Sequence, residues 1–238
     1  MTESLYWLDS YARRFSAKVT KAANDGVALD RSAFYPGGGG QPCDTGILVL
    51  RGTEYKVTET RKEGGDVFHT LDPIPFARCG DSVDGEIDWG RRYAYMRYHT
   101  ALHLVGGIIG RDYEEYMSTG SQIYQDRARM DIDMTGLDAT LARRIIDDAN
   151  RVAAQGRAVT IKVLSRSEAM QIPDLAKTEP GRKLLESLAT VRVVEIEGVD
   201  VQADGGTHVA NTSEIGTISL SKFENKGSRR KRLEITLN

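Results

Sequence analysis

The sequence predicts an α+β protein, a small N-terminal β-barrel over 1–88 followed by an α+β domain over 89–238. Three observations lead there. Before residue 89, short apolar segments alternate with glycine-rich turn punctuation. After it, long proline-free helical stretches stand between strand-like segments. Those helices and strands follow no regular βαβ repeat, which excludes a doubly wound sheet. A chain of 238 residues suits one or two domains.

In the first part, segments 17–20, 46–50, 55–60 and 67–71 read as strands, separated by Asn-Asp-Gly, Arg-Gly and Gly-Gly. Strands so closely spaced suggest a barrel. Pro73 and Pro75 mark a loop, and 79–87 reads as one last strand and turn. Residues 34–46 read FYPGGGGQPCDTG. Four successive glycines fit neither a helix nor a central strand. They make a loop that adopts positive φ and admits another backbone or a ligand closely. No Gly-Lys-Ser/Thr ending and no following helix make it a phosphate loop. Phe34, Tyr35 and Pro36 anchor one side, while Gln41, Asp44 and Thr45 supply polar groups on the other, so an ordered loop that shapes a pocket is expected rather than a flexible one.

The second part opens with a helix over 91–109, in which Gly106 and Gly107 either weaken the C-terminal half or admit another backbone. Over 121–134, Arg127, Arg129, Asp131 and Asp133 alternate with Ala128, Met130, Ile132 and Met134, a period-two strand signal. A second helix over 137–154 carries Leu137, Leu141, Ile145, Ala149 and Val152 on one stripe. Strands are expected at 159–164, 191–196, 217–220 and 232–237, and a short helix near 182–188.

His99 and His103 stand four apart on the first helix, which puts both imidazoles on one face, one turn apart. Neutral imidazoles converging from such a face suit zinc, although two solvent-facing or core histidines have the same spacing. The stretch 200–208, DVQADGGTH, offers Asp204 and His208 as two more donors around a glycine turn. An aspartate before Gly-Gly also serves simply as a turn residue. Val209 and Ala210 suggest that His208 enters a strand. His69, alone in VFHTLD, reads as a partly buried structural histidine.

Hydrophobic residues make up 40% and charged residues 28%, which excludes wholesale disorder, collagen and coiled coil. No apolar run approaches the length of a bilayer span. The start MTESLYWLDSYARRF lacks a basic stretch followed by an apolar core, so no signal peptide and a cytoplasmic location are expected. Cys43 and Cys79 form neither a metal knuckle nor a disulfide framework and are expected as free thiols. Net charge is −2, so nucleic-acid contact must be local. The run Lys226, Arg229, Arg230, Lys231 and Arg232 supplies one such patch, and a solvated hairpin turning at Lys226-Gly227 is its bland alternative.

In combination, FYPGGGGQPCDTG, RYHTALHL, TGSQI, DGGTHV and the closing NKGSRRKRLEITL resemble the free-standing alanyl-tRNA editing proteins of the medium-length AlaX type, themselves similar to the editing region of alanyl-tRNA synthetases. The resemblance runs from Leu5 to Leu237. It implies a barrel packed on an editing domain of the threonyl/alanyl-tRNA synthetase type. It also implies hydrolysis, in trans, of serine or glycine wrongly esterified to tRNA(Ala), with one zinc ion per chain. By the resemblance His99, His103 and His208 are zinc ligands. The family's usual cysteine, four residues before the last histidine, is Asp204 here, and a carboxylate oxygen can also bind zinc.

The implied reaction poses a problem of selection. Alanine is smaller than serine, so the site must favour the serine hydroxyl. Thr45 is the first candidate for that contact, with Gln41 and Gln122 behind it. Arg229, Arg230, Lys231 and Arg232 are expected on acceptor-stem phosphates, helped by Arg91, Arg92 and Arg97. Two other readings compete: a metal-dependent hydrolase of a small ester or amide, and a catalytically inactive tRNA-binding module. No motif specifies an oligomeric state.

Overall fold

Strand formation in the first ninety residues follows the turn chemistry. The computed structural model describes every residue except 114, 115, 174, 177–182, 184 and 186. It divides into two compact units, Met1–Ala94 and Tyr95–Asn238. In the first unit, β1 (Glu3–Ser4) pairs in parallel with β4 (Arg31–Ser32), while β2 (Arg14–Ala23), β3 (Gly26–Leu29), β5 (Gly46–Leu50), β6 (Thr53–Glu63), β7 (Asp66–Asp72) and β8 (Ser82–Ile87) close a barrel in the order β2-β3-β7-β6-β5-β8. Closure removes the exposed edges of the sheet. Val19, Leu29, Phe34, Leu48, Val57, Leu71, Val83 and Ile87 fill the barrel core. Strand β3 has no counterpart among the expected strands. Its four residues are all buried, so they carry no alternation to read.

The glycine-rich segment is an ordered tight loop. Gly37, Gly38, Gly39 and Gly40 take φ of 82°, 133°, 58° and 85°, angles that side chains with a Cβ adopt rarely. Gly38 and Gln41 exchange both backbone hydrogen bonds, at 3.0 and 2.9 Å. Asp44 does not line an open pocket. It is fully buried against Arg92, whose Nε lies 2.9 Å from Oδ2 and whose Nη2 makes a second contact. Arg92 also donates to the carbonyls of Ser10 and Ala33, at 2.9 and 2.6 Å. The structure therefore corrects the expectation that Arg92 faces RNA: this guanidinium ties three barrel segments together. His69 is buried as well; its Nδ1 lies 3.2 Å from the Val27 carbonyl and its Nε2 2.8 Å from the Ser32 hydroxyl.

Helix α1 (Trp89–Asp112) carries the chain from one unit into the other. The stretch expected as one extended segment is a hairpin, β9 (Met117–Ile123) and β10 (Ala128–Asp133), closed by a turn in which Tyr124 N–H donates to Arg127 O at 2.8 Å. Helix α2 (Ala139–Ala154) starts where Asp138 Oδ1 accepts the Leu141 N–H at 2.8 Å, an N-cap. Its buried stripe is Ala142, Ile145, Ile146, Ala149 and Ala153, turned slightly from the stripe read in the sequence. Then follow β11 (Val159–Ser165), the one-turn α3 (Arg166–Ala169), β12 (Thr190–Ile196), β13 (Asp200–Ala203), β14 (Ile218–Asn225) and β15 (Arg230–Leu237). One sheet runs β14-β15-β10-β9 and another β11-β12-β13. Of the helix expected near 182–188, Lys183, Leu185 and Ser187 are helical, while 182, 184 and 186 lie outside the described residues. Among the described residues no helix is long and apolar enough to cross a membrane, and Cys43 and Cys79 are free.

Candidate metal centre

Two segments far apart in sequence build one polar cluster inside the second unit. Helical spacing sets His99 and His103 on one face of α1, their ring centroids 5.0 Å apart. Beyond β13 the chain does not enter a strand at His208, as its apolar neighbours suggest, but continues as a loop through 204–210. That loop brings His208 to 4.3 Å from His99 and 4.6 Å from His103, centroid to centroid. Asp204 joins them, and one donor atom from each of the four residues lies within 4.8 Å of the others.

Asp204 is both the turn residue and the donor. Its Oδ2 accepts the Gly206 N–H at 2.7 Å and lies 3.0 Å from His208 Nε2, while Oδ1 is 3.7 Å from His99 Nε2. Buried Arg192 holds the backbone here, donating from Nη1 to Asp204 O at 2.8 Å.

Hydrogen bonds around the cluster decide which imidazole atoms are offered. The Thr100 hydroxyl donates to Met96 O at 2.9 Å, so at His208 Nδ1, 3.1 Å away, it can only accept. His208 therefore carries its proton on Nδ1. The lone pair on Nε2 faces the Asp204 carboxylate at 3.0 Å. Two acceptors at that distance are held together by a proton or a cation between them. His103 Nδ1 lies 3.2 Å from Asp200 Oδ2, and His99 hydrogen-bonds the backbone of Thr207. Asp200 and Thr100 carry no motif of their own and go unnoticed in the sequence.

The charges suit a cation. Burial pushes His99 down to about 4 and drives His208 well below its ordinary value. At His103 burial is outweighed by the Asp200 hydrogen bond and the Asp204 charge, which raise it. Burial alone would raise Asp204, but His99, His208 and His103 hold its carboxyl well below the ordinary range. The result is an ionised carboxylate beside two neutral imidazoles at neutral pH, a donor set that zinc accepts.

The other expected site residues lie elsewhere. In the first unit, Gln41 is buried and Thr45 half-buried; Thr45 O accepts the Asp88 N–H at 2.7 Å, and its hydroxyl makes no hydrogen bond among the described residues. On the β14–β15 hairpin the basic run is largely matched within the fold. Arg229 meets Asp133 at 2.5 Å, Arg232 meets Asp131 at 2.6 Å and Lys226 meets Glu224 at 3.3 Å. Lys231 is only 6% exposed and donates to Asn225 Oδ1 at 2.8 Å and Ser228 O at 3.1 Å. Arg230 is exposed and makes no ion pair among the described residues. Arg97, expected near RNA, donates to the carbonyls of Ile215 and Asn238 at 2.7 and 3.0 Å, and Arg91 Nε donates to Cys43 O at 3.2 Å.

Comparison with known proteins adds relatives to this geometry. Residues 191–234 match the family described as the threonyl and alanyl tRNA synthetase second additional domain, and residues 8–91 match the class II (A) tRNA synthetases. The chain is 41% identical to alanyl-tRNA editing protein AlaX-M of Saccharolobus solfataricus and 40% identical to that of Methanosarcina acetivorans, in both cases across 100% of this chain and 99% of the relative. It is 38% identical to alanine–tRNA ligase of Thermococcus kodakarensis, over 94% of this chain and 24% of the ligase.

Proposed function

The chain belongs to the alanyl-tRNA editing proteins of the AlaX-M type, and from that premise we propose that it hydrolyses, in trans, the ester joining serine or glycine to tRNA(Ala). The observation that supports this most is the His99, His103, Asp204 and His208 cluster, four donors within 4.8 Å of one another.

The donor set fits a divalent cation. His208 Nε2 faces an Asp204 carboxylate oxygen at 3.0 Å. His99, His103, Asp204 and His208 would hold zinc, which when bound supplies a Lewis acid and lowers the pKa of a bound water. Asp204 contributes a negative charge to balance the cation. The loop at 204–208 holds Asp204 through Arg192 and His208 through Thr100, so the donors are ordered before any ligand arrives.

Thr45 takes the serine hydroxyl in this proposal, with Gln41 as a second polar contact. Of the basic run, exposed Arg230 takes acceptor-stem phosphates, while Arg229, Lys231 and Arg232 are engaged by Asp133, Asn225 and Asp131. Deacylation of Ser-tRNA(Ala), Gly-tRNA(Ala) and Ala-tRNA(Ala), compared side by side, tests the reading. Serine and glycine are expected to be released and alanine retained. Chelation, His99→Ala and His208→Ala are each expected to lower kcat/KM by about 100-fold or more. Unchanged hydrolysis in all three would remove the metal from the function. Equal hydrolysis of free aminoacyl esters would favour a small-ester hydrolase instead.

A further inference from the structure

We propose that Asp200 is the positioning residue of the metal centre: it fixes the orientation and tautomer of His103, and Gly107 is glycine because only then does Asp200 reach that imidazole. The inference rests on the metal reading above.

Strand β13 pairs antiparallel with β12, Asp200 opposite Ile196 and Gln202 opposite Val194. Alternation along a strand sets residues 200 and 202 on one face. There Asp200 is 5% exposed, and its Oδ2 lies 3.2 Å from His103 Nδ1 and accepts from Gln202 Nε2 at 2.6 Å. Its other oxygen, Oδ1, makes no hydrogen bond among the described residues. A carboxylate buried with one oxygen unanswered is a poor device for stability. It is an effective device for an imidazole. Accepting the Nδ1 proton leaves the Nε2 lone pair as the atom offered, locks the ring against flipping and raises its basicity as a ligand.

The backbone makes room for this arrangement. Gly107 follows His103 by one helical turn, so both lie on the same face of α1. A Cβ at 107 would stand 2.7 Å from Asp200 Cβ and 2.9 Å from Val199 O, distances at which the β12–β13 turn must retreat. Retreat would carry the carboxylate away from the imidazole. One glycine of the Gly106-Gly107 pair thereby has a specific task in the centre.

The experiment measures zinc affinity of the full chain by competition with a chromophoric chelator, for wild type, Asp200→Asn and Gly107→Ala, alongside thermal unfolding of each zinc-free protein. Asp200→Asn is expected to weaken zinc binding by about 10- to 100-fold, with the unfolding midpoint of the zinc-free protein no lower than wild type. Gly107→Ala is expected to weaken it in the same direction. Imidazole 15N shifts of the zinc-free wild type supply a readout that needs no variant, and His103 is expected as the Nδ1–H tautomer. The Nε2–H tautomer there, or zinc affinity in Asp200→Asn within twofold of wild type, overturns the role of Asp200. Failure of wild type to bind zinc, cobalt or nickel overturns the metal centre itself, and this inference with it.

Discussion

A serine and an alanine ester differ by one hydroxyl, and a wall that admits the larger cannot bar the smaller. In the proposed reaction, discrimination must come from a protein group that loses a hydrogen bond when the hydroxyl is missing. Thr45 is the group we propose for that contact. It is half-buried, its carbonyl is engaged by Asp88, and its hydroxyl is uncommitted among the described residues. Gln122, by contrast, already donates to Ile123 O at 3.3 Å. Thr45→Val is expected to lower kcat/KM for Ser-tRNA(Ala) by about 10- to 100-fold and for Gly-tRNA(Ala) by about threefold or less. Comparable losses on both substrates would count against Thr45. Its neighbour Asp44 shows how residue type misleads. Both read as polar loop residues in sequence, yet Asp44 answers a guanidinium from 48 positions further on, a pairing that no local pattern announces.

Among the elements, the β14–β15 hairpin concentrates positive sequence without concentrating free positive charge. Asp131 on β10 pairs with Arg232, which the antiparallel register sets opposite it, and Asp133 pairs with Arg229, the residue just before its ladder partner Arg230. A run of like charge was legible; its neutralisation by a strand about a hundred residues away was not. Arg230 is the exposed member without such a partner among the described residues. Arg230→Glu is expected to raise KM for tRNA several-fold at low salt with kcat little changed, and to shallow the salt dependence of KM. Kinetics indistinguishable from wild type across that range would take this residue out of the RNA contact. Helix α1 was the more readable element, since a 3.6-residue period alone sets His99 and His103 together. Strand β13 was not, because four residues reading DVQA look like loop until β12 pairs with them.

At the level of the whole molecule, the barrel buries an ionisable group whose cost depends on pH. Burial brings His69 down to about 4 from an ordinary 6.5. Between those values the unfolded chain binds a proton that the folded chain refuses, so stability falls as pH falls from 6.5 toward 4, and above 6.5 the group contributes no slope. The slope approaches about 1.4 kcal/mol per pH unit. Replacing the imidazole by a group that does not titrate, His69→Gln, is expected to flatten the urea-unfolding free energy across that window by nearly one proton. Parallel profiles for wild type and variant would show that His69 is not the group responsible.

The amino-acid order was enough for whatever depends on near neighbours. Turn punctuation and short apolar segments imply a barrel, helical period pairs two histidines, and Asp204 before two glycines implies a turn. Motifs in combination also carried the family. Chain order could not show that His208 and Asp204 meet His99 and His103, that Asp200 stands behind His103, or that Arg92 points inward to Asp44. Those contacts join segments separated by 48 to 109 residues. Such distances collapse only when strands pair and helices bury their faces, and the partner of a buried charge is chosen by that packing rather than by its place in the chain.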